Sequence, residues 1–146
     1  MSSVCFTVEN IQLVVKDIVD KLPCLQNRAT VLTLSGDLGS GKTTLVQYIA
    51  DYLRIKQTVT SPTFVIRKDY HLDDQKWSWL IHIDMYRLER EDDLSLLGIG
   101  ELLKNPDFLI IIEWPEKVLS ILAPEQVSSY KLAVAGENKR LLEKYN

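Results

Sequence analysis

One stretch leaves this chain little freedom in how it can fold. Residues 30–53 run from a β-branched apolar segment (Thr30 to Ser35), through a glycine-rich loop, into a segment with apolar residues at 45, 46, 49, 50 and 53. The first pattern predicts a buried strand and the second a helix. Between them, Gly36 to Thr44 reads Gly-Asp-Leu-Gly-Ser-Gly-Lys-Thr-Thr, which satisfies G-x-x-x-x-G-K-[ST] at every position. Glycines at this spacing let the backbone curl until successive N–H groups face an anion, and the following helix aims its positive end at the same point. On this reading Gly39, Ser40, Gly41, Lys42, Thr43 and Thr44 line a nucleotide phosphate site. Lys42 brings a mobile charge to the outer phosphates, Thr43 offers a hydroxyl to Mg²⁺, and Thr44 reaches an inner phosphate. The plain alternative is a glycine-rich turn that binds nothing.

The rest of the chain fits an α/β arrangement around that unit. Phe108 to Ile112 is an unbroken apolar run, as expected of a central strand covered on both faces. It delivers Glu113 and Trp114 at its C-terminal end, where ligands collect in open α/β sheets. A carboxylate there is the natural partner of a Mg²⁺ ion held by Thr43, with a solvated strand-end acid as the bland alternative. Val4 to Val8 suits a short strand, and Asn10 stands where it can cap a helix over Ile11 to Leu22, ended by Pro23. That helix reads as a plain cover, or as a wall for an adenine base. Residues 64–72 and 77–83 predict an antiparallel hairpin around Asp73 to Lys76. Residues 89–97 suggest a helix, Ile99 to Lys104 a further helical turn, Val127 to Val134 a last strand, and Gly136 to Tyr145 a terminal helix exposing Lys139, Arg140 and Lys144.

Two further clusters bear chemistry. Thr58 to Thr63 crowds hydroxyls around Pro62, which suits either a segment sensing a γ-phosphate or a capped turn leading into a strand. His82 and Asp84 fall two apart at a strand end, so alternation puts both on one face. They suit two metal ligands, but no further cysteine or histidine completes a zinc set. Composition limits the partners. With 146 residues, 46% hydrophobic and 25% charged, and a net charge of −3, the chain predicts one domain over 1–146 without a basic surface for nucleic acid. Cys5 and Cys24 match no metal or redox spacing. No signal peptide is visible and no apolar run is long enough to cross a bilayer, so a cytoplasmic location away from membranes is expected.

Four stretches in order carry a resemblance: Gly36 to Thr44, Thr60-Ser61-Pro62-Thr63-Phe64, His82-Ile83-Asp84-Met85-Tyr86-Arg87-Leu88, and Ile112-Glu113-Trp114-Pro115-Glu116. Together they resemble the TsaE (YjeE) family of small bacterial P-loop ATPases. The phosphate loop alone is shared widely; the other three stretches in this order are far more specific. Met85 departs from the leucine common at that place. The resemblance implies a three-layer P-loop NTPase-like fold, its mainly parallel sheet extended by the antiparallel hairpin. It implies a Mg²⁺-dependent ATPase serving the formation of threonylcarbamoyladenosine on tRNA. ATP hydrolysis would reset a complex of TsaB and TsaD, and tRNA would be met only through that complex. Carried onto this chain, Lys42 holds phosphates and Thr43 and Glu113 hold Mg²⁺. Asp84 is a second essential carboxylate, near the metal's outer shell or the attacking water. Thr60, Ser61 and Thr63 form a switch segment. Tyr86, Arg87 and Trp114 shape the site or a partner contact. Two other readings stay open: a small-molecule kinase, which the lack of an arginine-rich lid between 88 and 116 disfavours, and a nucleotide-gated binding module with negligible hydrolysis.

Overall fold

In the computed structural model, which describes residues 2–62, 66–88, 95 and 97–146, the apolar run of the sequence becomes a strand flanked by parallel neighbours. The strands are β1 (Ser2–Phe6), β2 (Thr30–Ser35), β3 (Arg67–His71), β4 (Trp79–Asp84), β5 (Phe108–Glu113), β6 (Val127–Gly136) and β7 (Lys139–Lys144). They form one seven-stranded sheet in the order β1-β7-β6-β2-β5-β4-β3. β2 pairs parallel with both β5 and β6, and β4 pairs parallel with β5. Pairing turns antiparallel at both margins, through the β3–β4 hairpin on one side and β6–β7–β1 on the other.

Alternation along the central strands splits the core in two. Leu32, Leu34, Leu109 and Ile111 pack with α1 (Ile11–Lys21) and α2 (Lys42–Tyr52) on one face. Val31, Ile110 and Ile112 pack on the other with Ile99, Leu102 and Leu103, from around a helical turn at Ile99–Leu102, and with Val118 and Leu122. The result is three layers, as expected. α1 buries Ile11, Val14, Val15, Ile18 and Val19, the residues its spacing marks. Asn10 stands at its N-terminus, but the side-chain oxygen accepts a 2.7 Å bond from the Thr7 backbone N–H rather than from the helix.

The expected terminal helix over 136–145 is wrong. Glu137 and Asn138 make a tight turn, and Lys139–Lys144 returns as β7 between β6 and β1. Leu142 is buried there, opposite Leu132 of β6 and Val4 of β1. Pairing on both edges gives the backbone of Arg140 to Lys144 partners on two sides, and that outweighs the helical preference of a segment too short to hold a helix alone. Of the expected hairpin, the described strands are Arg67–His71 and Trp79–Asp84, residues 64 and 65 lying outside the described residues, and the expected helix over 89–97 lies outside them too apart from 95 and 97.

Candidate functional site at the strand ends

β2 ends at Ser35, and the chain turns through the glycine loop into α2 at Lys42. Gly36, Gly39 and Gly41 have φ of +139°, +77° and +101°. At Gly36 the requirement is steric as well as conformational. A Cβ there would lie 2.3 Å from the Leu132 carbonyl oxygen and 2.8 Å from Ser40 Oγ. The first glycine therefore lets the loop rest directly on β6.

Lys42 is folded into this loop. The residue is 5% exposed, and Nζ donates to the carbonyls of Gly36 (2.6 Å) and Asp37 (3.0 Å), with Ser40 Oγ at 3.4 Å. The ring of Trp114 covers the ammonium, its centroid 4.3 Å from Nζ. Burial holds the Lys42 pKa below the usual lysine range, against the opposing pull of Glu113, Asp84, Asp37 and Glu116. A lysine held by two carbonyls, a hydroxyl and a ring face, all uncharged, can exchange those partners for phosphate oxygens, which carry full charge.

The strand ends bring the carboxylates to the same place. Asp84 and Glu113 are register partners across the parallel β4–β5 pair. Glu113 is buried, and Thr43 Oγ1 lies 3.0 Å from its Oε1 and 3.1 Å from Oε2. The first turn of α2 is thus joined to the end of β5. Asp84 is also buried, and its Oδ1 accepts a 2.9 Å bond from the Tyr86 N–H. This turns the chain sharply at the end of β4. Trp114 follows Glu113 with φ +56°, a left-handed conformation unusual for so large a residue. That twist carries its ring over Lys42, while exposed Tyr86 packs on it at 4.9 Å between centroids. Trp114 therefore lies at the phosphate loop. Arg87 is exposed.

The oxygen set suits a hard cation. A threonine hydroxyl and one carboxylate, both beside a phosphate loop, match the way Mg²⁺ is held by few protein oxygens plus substrate phosphates. Among the described residues no three His, Cys, Asp or Glu side chains gather into a metal-holding group. His82 and Asp84 share a face as alternation requires, but the described partner of the histidine is Glu113, with Nε2 3.3 Å from Oε1. Elsewhere, Thr60 and Ser61 are exposed, and the Thr60 hydroxyl accepts from Lys68 Nζ. Thr63 lies outside the described residues.

Two contacts were hidden from the sequence. Arg140, read as an exposed tail residue, donates from Nε to the Ser40 carbonyl at 3.1 Å. It also lines a cavity of about 160 Å³ with Phe6, Val8, Ile11, Gly41, Thr44 and Asn138. The unforeseen β6–β7 turn puts residues a hundred positions apart together. The His82–Glu113 contact crosses from one parallel strand to its neighbour, and no local pattern reports such a pairing.

Comparison with known proteins places this geometry. The family model "Threonylcarbamoyl adenosine biosynthesis protein TsaE" matches residues 9–142. The TsaE protein of Borreliella burgdorferi is 36% identical over 109 residues, which cover 75% of this chain and 77% of that protein. The Treponema pallidum TsaE is 34% identical over 116 residues, 80% of this chain and 82% of that one. For the Haemophilus influenzae TsaE the match, 35% identical, covers 65% of this chain and 58% of that protein. A crystal structure of YdiB from Bacillus subtilis superposes with a TM-score of 0.69 at 26% identity, over 98% of this chain and 84% of that one. With the phosphate loop and the strand-end carboxylates in place, the chain belongs to the TsaE family.

Proposed function

We propose that this chain is the Mg²⁺-dependent ATPase of the machinery that forms threonylcarbamoyladenosine on tRNA. It would act on proteins resembling TsaB and TsaD, as a single domain working in the cytoplasm. The observation that carries the reading is the Thr43–Glu113 contact, which ties the phosphate-loop helix to the end of β5. The loop N–H groups of residues 39–44 take the phosphates. Lys42 leaves the Gly36 and Asp37 carbonyls for them, and in doing so frees the face of Trp114. Thr43 and Glu113 would hold Mg²⁺, which when bound would supply positive charge beside the phosphate oxygens. The nucleoside enters the cavity beside Gly41 and Thr44, against the apolar wall of Phe6, Val8 and Ile11 and the polar groups of Asn138 and Arg140.

Asp84 orients the attacking water from the neighbouring strand end, and the Thr60, Ser61 and Thr63 segment responds to the γ-phosphate. Tyr86 and Arg87 flank the site on its exposed side. Hydrolysis then resets the partner complex, and tRNA is met through that complex. The test is phosphate release from Mg-ATP by the protein alone and with the two partners. Slow release alone and faster release with both partners supports the reading. Release that the partners leave unchanged contradicts it.

A further inference from the structure

We propose that His82 is a positioning residue that holds Glu113 toward Thr43. This inference rests on the assignment of Thr43 and Glu113 to the metal. His82 is fully buried in the face of the sheet that α1 and α2 cover, between Leu80 and Asp84 on β4. A histidine in such a place must be explained by its hydrogen bonds, because a leucine would fill it without desolvating two nitrogens. Its Nδ1 has no hydrogen-bond partner among the described residues. Among the described residues its polar contact runs through Nε2, which lies 3.3 Å from Glu113 Oε1. A carboxylate only accepts, so Nε2 carries the proton and donates.

Glu113 is therefore clamped from two elements. Thr43 on α2 reaches both carboxylate oxygens, and His82 on β4 reaches Oε1. Thr43 is also the hydroxyl assigned to the cation, so its bond to Glu113 changes whenever the cation comes or goes. The bond from His82 does not depend on the cation, because the ring comes from a different strand and faces the core. His82 thus keeps the carboxylate aimed at the metal position through the whole cycle. Outer-shell partners of this kind typically change metal affinity by about 10- to 100-fold when removed.

The experiment measures ADP affinity by calorimetry, in Mg²⁺ and in EDTA, and takes the ratio as the contribution of the metal. The variants are His82→Gln, whose amide nitrogen reaches the position of Nε2, His82→Asn, whose amide reaches only that of Nδ1, and His82→Leu. Wild type and Glu113→Ala are run beside them. The expected result is a ratio near wild type for His82→Gln and a ratio about 10- to 100-fold smaller for His82→Asn and His82→Leu. Affinity in EDTA should change far less. If His82→Leu does not fold, the Gln and Asn pair decides. Equal ratios in Gln and Asn, or a Gln variant that does not fold, overturns the role of His82. A wild type that gains nothing from Mg²⁺, or a Glu113→Ala protein that keeps the whole gain, instead overturns the metal assignment beneath it.

Discussion

Lys42 shows how one residue can store a binding event. Its charge is held by carbonyls and a ring face, and burial lowers its pKa. Between that lowered native value and the ordinary lysine value, the unfolded chain binds more protons than the native one. Stability contributed by this residue therefore rises with pH across that window. Urea midpoints of wild type relative to Lys42→Met, followed from about pH 8 to about pH 10, should increase with pH. A difference that is flat or falls would remove the buried-lysine account. Phosphate binding reverses the shift, so nucleotide binding at the alkaline end should take up protons. Replacing the lysine by alanine deletes at least one charged hydrogen bond to phosphate, worth about 1.5–3 kcal/mol, so calorimetry should show a loss of more than about tenfold in affinity. At Gly36 the added methyl of alanine meets a backbone carbonyl of β6 at 2.3 Å. Gly36→Ala should cost about 1–3 kcal/mol in denaturant unfolding and displace the loop. Of the two carboxylates, Glu113→Ala should mainly weaken Mg²⁺-dependent binding. Asp84→Ala should mainly slow phosphate release. The phosphate loop, Asp84 and Glu113 were legible in the sequence because each sits at the end of a recognisable strand or loop. Arg140 and the His82–Glu113 contact were not, because sheet pairing alone creates them.

Among the elements, β7 is where sequence and structure part. Glu137 and Asn138 make the turn, yet the run after them, Lys139 to Lys144, consists entirely of helix formers. Its fate is decided by β6 and β1, which offer it two edges at once. The central strands needed no such help: their apolar runs are legible because both faces are covered. The β6–β7 hairpin also lines the cavity beside Thr44, its turn supplying Asn138 and its second strand Arg140. Leu142 is its anchor in the core. Leu142→Ala should destabilise the protein by about 2–5 kcal/mol, read as a lower denaturant midpoint at unchanged slope. Because β1 pairs with β7, the same change should speed hydrogen exchange in Ser2–Phe6. Exchange unchanged in β1 would mean that the two strands do not depend on each other.

At the scale of the molecule, the sheet gathers chemistry along one edge of its layers. The phosphate loop follows β2, Asp84 ends β4 and Glu113 ends β5, all at carboxyl ends of parallel neighbours. Among the described residues no helix is long and apolar enough to cross a membrane. With a net charge of −3, the purified protein alone should bind tRNA weakly. Tight, salt-sensitive binding in a filter assay would contradict that. A crystal structure grown with Mg²⁺ and ADP decides whether this loop is the nucleotide site. The phosphates should lie within the curl of Gly36 to Thr44. Lys42 Nζ should have moved from the Gly36 and Asp37 carbonyls onto a phosphate oxygen, with the cation at Thr43 Oγ1 and Glu113 facing it. Nucleotide bound elsewhere, or Lys42 still held by its carbonyls beneath Trp114 with ADP in place, would rule the site out.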